Sequence, residues 1–263
     1  MKNDRTVEPI EMDKMKESSQ AENLITNITN IFDEMIHTFL DEASRITTFD
    51  KYNAQHVYLM CLYGRIIELG VTALNLIKIK DHAGIPIILR SQLEAFVDFA
   101  NLIDNKDFIY TIGANFVAQK RKHIENIRKH FGDHEVNLEF DDAENAFAGY
   151  KKQNIVNKFE NIKLNKTHAA MYSQLCSYSH NNLAILELRH IEKNEEGIKV
   201  VFFKDEPLQN LLRFVFTLGA LLVDTHTNLI AFFDKSMESK SADVCSKYSE
   251  LQKAVNDVLA SVE

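Results

Sequence analysis

A chain of 263 residues with 45% hydrophobic and 26% charged side chains is long enough to bury a substantial core and too apolar to be disordered throughout. Three prolines and eight glycines leave too few turn sites for an all-β chain, while a formal net charge of -8 argues against a constitutive nucleic-acid coat protein. Cys61, Cys176 and Cys245 are odd in number and widely spaced, which excludes a disulfide framework or zinc motif and fits a reducing cytoplasm.

The opening stretch to Gln20 is charged throughout and reads as a loose tail, without the apolar run of a signal peptide or anchor. From Ser19 to about Ile46, Leu24, Ile28, Ile31, Met35 and Phe39 recur at helical spacing and predict an amphipathic helix. A second helix, about Lys51 to Ile79, is apolar on nearly all sides and should be central. Pro86 suits the first turn of a third helix ending near Asp104, because its missing amide hydrogen needs no partner there. A fourth runs from about Asp107 to Phe131 and stops at Gly132. An acidic irregular segment follows, passing into a helix near Asp142. Another helix should begin near Thr167 and carry "HAAMYSQLCSYSHNN". "AILELRHI" and "IKVVFF" then flank a polar turn and predict two short strands. "LLRFVFTLGALLV" belongs to a long core helix capped by Asp205; Arg213 and Asp224 interrupt it, short of the roughly 18 uncharged residues of a spanning helix. The last helix carries a stripe of Val244, Tyr248, Leu251, Val255, Val258 and Val262, able to dock on the bundle or pair with a second subunit.

The expected fold is therefore all-α: a multi-helix bundle with one small β-hairpin insertion near 184–203. Residues 1–18 are expected to form a flexible tail, 19–236 the bundle and 237–263 a C-terminal amphipathic helix.

On the third helix, Arg90, Glu94, Asp98 and Asn101 share one narrow arc, with Leu89, Leu93, Phe96 and Val97 among the apolar residues around it. A solvated strip explains such an arc as readily as a site does. However, Arg90 precedes Glu94, the less favourable order for a helical pair, and it sits near the helix start, where the macrodipole disfavours a cation. A tertiary partner would account for that order. The expected partner is His180, which shares a helix face with Ser173, Cys176 and Ser177. These small side chains would let the third helix approach until Glu94 or Asp98 accepts a hydrogen bond from the imidazole. The alternative is a structural histidine tying down a helix end.

"LRSQLEAFVDFANLI", followed about eighty residues later by "YSQLCSYSHNNL" and a short hairpin, resembles an uncharacterised family of bacterial helical proteins, a domain-of-unknown-function family. Its members show an R-S-x-x-E helix and a Y-x-x-x-S/C-x-x-x-H helix. The resemblance spans about Ser19 to Phe233 and places Arg90, Glu94, Tyr172, Cys176 and His180 at motif positions, Cys176 standing where serine is more frequent. It implies a bundle with a shared polar site and no established activity. More distantly, the arrangement is similar to the HEPN (higher eukaryotes and prokaryotes nucleotide-binding) superfamily. Many of its members are ribonucleases of toxin and phage-defence systems carrying R-x(4-6)-H on one helix. Arg128 and His134 satisfy that spacing, but Gly132 breaks the helix between them and chance supplies about one such match. Arg90 and His180, brought together from separate helices, are the stronger pair: histidine as general base or acid, arginine stabilising developing phosphorane charge, with Glu94 completing the catalytic group.

Other patterns are weaker. Lys120, Arg121 and Lys122, with Arg128 and Lys129, form a basic patch suited to phosphate, although without interleaved aromatics it equally makes a solvated helix face. Glu187 and His190 mimic the E-x-x-H of di-iron bundles, but on a strand they would point to opposite faces, so no metal and no cofactor is expected. Phosphate-loop, dinucleotide-binding and hydrolase-elbow motifs do not occur. Three function classes follow: an intracellular HEPN-like ribonuclease or toxin effector of a bacterial defence system, which the resemblance favours; a ligand-binding or sensor module; and an oligomeric adaptor. Asp98, Tyr172 and Cys176 join the basic patch as candidate binding residues, with RNA or a partner protein as target, self-association expected and no membrane involved.

Overall fold

The computed structural model describes residues 9–132, 146–147, 149–180, 182–194, 197–202, 208–233 and 241–260; within its helices, the side chains of 9–22, 208–209, 254–255 and 257–260 lie outside the description. Its elements are α1 (Pro9–Ser44), α2 (Ala54–Lys78), α3 (Gly84–Asp104), α4 (Phe108–Phe131) and α5 (Ile155–Asn161). Then come α6 (Asn165–Thr167), a π-helical turn π1 (His168–Tyr172), α7 (Ser173–Ser179), α8 (Leu183–His190), β1 (Ile191–Asn194), β2 (Gly197–Val200), α9 (Leu208–Phe233) and α10 (Ser241–Ala260). It is an all-α bundle bearing one small antiparallel hairpin.

Helix α2 is the centre of the bundle, packed against α3, α9 and α1. Leu59, Tyr63, Ile66, Ala73 and Ile77 of α2 meet Leu89, Leu93, Val97 and Phe99 of α3 and Leu212, Val215, Leu218 and Leu222 of α9 in one contiguous core. Local chemistry starts α2 and α3. Asn53 caps α2 by accepting from the amides of Gln55 and His56, and the Asp81 carboxylate accepts from those of Ala83 and Gly84 just before α3. Pro86 is the third residue of α3 and buried, within the first turn as its geometry requires. Gly132 ends α4 at φ 86°, in the left-handed region open to glycine.

Several expectations need correction. The first helix begins at Pro9 rather than at the expected Ser19; proline is well suited to the first helical position. "AILELRH" is helical: the Asn182 side chain caps α8 by accepting from the Ala184 amide, and leucine, alanine and glutamate favour the helix. The hairpin is correspondingly shorter than 184–203, pairing Ile191 with Val200 and Asn194 with Gly197. The helix expected to begin at Asp142 and the Asp205 cap lie outside the described residues.

The C-terminal helix docks on the bundle. Val244 and Tyr248 are buried against α1 and α9, Lys247 meets Glu34 at 2.7 Å, and the Tyr248 hydroxyl donates to the Phe216 carbonyl. Contrary to the sequence reading of α9, both α2 and residues 210–233 are long and apolar enough to cross a membrane, by length and composition; within the bundle 44% and 56% of these windows are buried.

Candidate functional site

Helix α3 turns its apolar side to α2 and α9, which leaves Arg90, Glu94, Asp98 and Asn101 facing α5 and the π1–α7 rod. Glu94 is the hub of the first cluster. Its Oε1 accepts from Arg90 Nε at 3.1 Å and from the Tyr172 hydroxyl at 2.8 Å. The Arg90 guanidinium also lies over the Tyr172 ring, 5.6 Å from its centroid, and presents NH1 to His180 Nε2 at 3.4 Å. Arg90, Glu94, Tyr172 and His180 therefore do meet. The arginine and carboxylate are half-buried, at 27% and 41% side-chain exposure, and His180 is exposed.

The meeting differs from the expected one in its hydrogen bonds. Neither Glu94 nor Asp98 accepts from His180; Glu94 is taken by Arg90 and Tyr172, and Asp98 by Lys158 at 2.7 Å. His180 also stands one residue beyond α7, with extended backbone (φ -110°, ψ 156°), rather than on the helix face. Facing an arginine donor, Nε2 must offer its lone pair, which leaves the proton on Nδ1. Cys176 is half-buried against the core beneath this cluster.

The π1 turn delivers Tyr172. An extra residue in a helical turn shifts the register of everything beyond it, a device frequent at functional sites. Phe159 of α5, fully buried, backs Tyr172 at 5.6 Å between ring centroids, and His168 stacks on it at 5.3 Å. Burial and the Glu94 carboxylate push the Tyr172 phenol up, so it remains a donor. Burial likewise pushes the Asp98 carboxyl up, and the Lys158 ammonium pulls it back.

Beside the cluster lies a polar cleft of about 990 Å³ between α4, α5 and the segment leading into α5. Glu94, Asp98 and Tyr172 form one wall, while Arg121 and Lys122 of α4 stand with Lys152 among the others. Of the expected basic patch, Arg121 and Lys122 line the cleft and Lys120 does not; Arg128 is exposed and His134 lies outside the described residues.

A sequence profile of DUF5677, a family of unknown function, matches residues 56–198, more than half of the chain. The chain belongs to the DUF5677 family. No curated protein and no solved structure matches it. The DUF5677 stretch starts in α2 and ends in β2, so it contains α3, π1, α7 and every residue of the Arg90 cluster, and it leaves out α1, α9 and α10. Two asparagines hold the DUF5677 site in place: Asn101, which the sequence placed on the polar arc of α3 without a role, and Asn115, which it did not single out. Asn101 is buried and donates to the carbonyls of Val97 and Lys158, which fixes Lys158 under Asp98. Asn115 exchanges two hydrogen bonds with the Gln153 backbone and rivets the segment before α5 to α4. A buried polar residue in an oily helix was the available signal.

A second polar cluster sits deep in the core. Glu42, His226 and Tyr63 are 1%, 1% and 2% exposed. His226 Nε2 meets Glu42 Oε2 at 2.7 Å, the Tyr63 hydroxyl lies 3.1 Å from His226 Nδ1, and the Ser241 amide donates to Glu42 Oε1. Burial pulls the His226 pKa down, opposed by Glu42. With no access to solvent, this group braces α1, α2, α9 and the start of α10. Glu187 and His190 share a helix rather than a strand, yet among the described residues no group of three or more His, Cys, Asp or Glu is placed to hold a metal.

Proposed function

We propose that this DUF5677 protein is a HEPN-like ribonuclease of the cytoplasm, a toxin-like effector of a bacterial defence system, in which the activated 2′-hydroxyl attacks the adjacent phosphorus, the P–O5′ bond breaks and the leaving 5′-oxygen takes a proton from water. The observation that carries the reading is the Arg90–His180 pair, NH1 to Nε2 at 3.4 Å, at the edge of a polar cleft. An exposed imidazole whose Nε2 lone pair is held only at 3.4 Å by Arg90 NH1 becomes a general base for a hydroxyl once the substrate phosphate draws the guanidinium away. The neighbouring guanidinium stabilises negative charge developing on the attacked phosphate. Glu94 and Tyr172 orient that guanidinium, one through the Nε bond and the other through its ring. Incubating purified protein with a labelled RNA should yield fragments ending in 2′,3′-cyclic phosphate. His180→Ala should abolish them while the thermal transition stays within a few degrees. Uncleaved RNA with the folded wild-type protein overturns the reading.

The cleft favours a second reading, a non-enzymatic ligand-binding or sensor module, because its volume of about 990 Å³ matches pockets that enclose a small molecule. A ligand-dependent rise in melting temperature without RNA cleavage would select it.

A further inference from the structure

Two aspects of the cleft are unused by the Arg90–His180 chemistry: its cationic wall and its aromatic platform. On the wall nearest the cluster, both acids are already engaged, Glu94 by Arg90 and Tyr172, and Asp98 by Lys158. Among the described residues, the remaining walls carry Lys122 of α4 and Lys152, with Arg121 and the acid Glu125 beside them. Lys122 and Lys152 are exposed and make no ion pair among the described residues. Two exposed lysines on one wall of a cleft attract anions there, on a chain whose net charge is -8. Tyr150 also lines the cleft; it is 47% exposed and stacks on Tyr110 with centroids 4.4 Å apart and planes 10° from parallel. The two Asn115–Gln153 hydrogen bonds hold Tyr150 and Lys152 at a fixed place over α4.

Resting on the ribonuclease reading, we propose that this cleft is the subsite for unpaired nucleotides flanking the scissile bond, with Lys122 and Lys152 binding backbone phosphates and Tyr150 stacking a base. Glu94 and Tyr172 belong to both the cleft wall and the Arg90 cluster, so a strand lying in the cleft passes beside the cluster, although Arg90 and His180 themselves do not line it. The volume, about 990 Å³, exceeds what one phosphate needs. A duplex keeps its base faces inside its own stack, so the Tyr150 platform selects single strands.

The test is fluorescence anisotropy with a labelled unstructured oligoribonucleotide and with the same strand annealed to its complement, on the full chain carrying His180→Ala to prevent turnover. Single-stranded RNA should bind at least tenfold more tightly than the duplex. Adding Lys122→Glu and Lys152→Glu should weaken binding at least tenfold, and Lys122→Gln with Lys152→Gln should lower the log–log salt slope by about 1.4, two contacts at about 0.7 each. Tyr150→Ala should lose roughly fivefold or more, and Tyr150→Phe should keep the affinity. Unchanged affinity in the lysine variants, or equal binding of duplex and single strand, overturns the subsite. Cleavage by wild-type protein together with unchanged binding in those variants removes the subsite and leaves the ribonuclease reading standing. Absent cleavage with the stated binding losses removes the ribonuclease reading and its scissile bond, and leaves the cleft as a binding site for single-stranded RNA.

Discussion

His226 and Glu42, 184 residues apart in the chain, meet at 2.7 Å in the interior of the bundle, each about 1% exposed. The same carboxylate accepts from the Ser241 amide at 2.8 Å and so fastens the start of α10. Removing one partner of a buried pair strands the other without water, which costs about 3–5 kcal/mol. Glu42→Ala should lower unfolding free energy by that amount, read as a lower denaturant midpoint at an unchanged slope. A loss under about 1 kcal/mol would show that water replaces the carboxylate.

Arg90 divides its donors between Glu94 and His180, which a lysine cannot reproduce with one ammonium. Arg90→Lys should leave stability within about 1 kcal/mol, since the pair is half-exposed, while cutting single-turnover RNA cleavage roughly a hundredfold or more. Full activity in the lysine variant would mean that charge alone suffices.

Tyr248 gives a pH dependence of definite sign. Burial, aided by the Asp224 carboxylate, pushes its phenol from 10.0 up to about 12. Above pH 10 the unfolded chain releases this proton first, so stability falls as pH rises from 10 towards 12, by up to about 2.7 kcal/mol. Urea unfolding at pH 8 and pH 11.5 should show a steeper alkaline loss for wild type than for Tyr248→Phe. Tyr63 contributes with the same sign to both proteins and cancels. Identical alkaline losses would refute the assignment.

Gly219 allows α10 to lie close on α9, because a Cβ at that position would collide with the Tyr248 ring. Gly219→Ala should destabilise by about 1–3 kcal/mol as the ring is displaced, with faster amide exchange in residues 241–253 than in α2. Unaltered exchange in α10 would show that the ring repacks in place.

The parts of the fold legible in the sequence are those whose local chemistry and periodicity agree. The Asp81–Gly84 turn, Pro86 and Gly132 punctuate α3 and α4, and their apolar stripes do the rest. The run "AILELRH" was ambiguous because seven residues of mixed polarity fit either period, and the deciding Asn182 cap lay upstream of the run itself. At the site, the convergence of Arg90 with His180 was readable from two unusual polar segments. Which group bonds to which was not, since the π1 turn re-registers Tyr172 and places it on Glu94. Glu42 and His226 gave no pattern at all: each stands among other polar residues, Glu42 beside Asp41 and His226 between Thr225 and Thr227, and only tertiary packing pairs them.

A five-residue π turn amounts to a single surplus residue lodged within a rod of ordinary pitch. Excising Ala169 or Ala170, both exposed, would let the rod relax to regular winding and turn Tyr172, together with α7, about 100° around its axis relative to α6. Attachment of the tyrosine to Glu94 is thus governed by chain length at a spot that touches no substrate. A deletion there would disarm the protein while sparing every functional side chain.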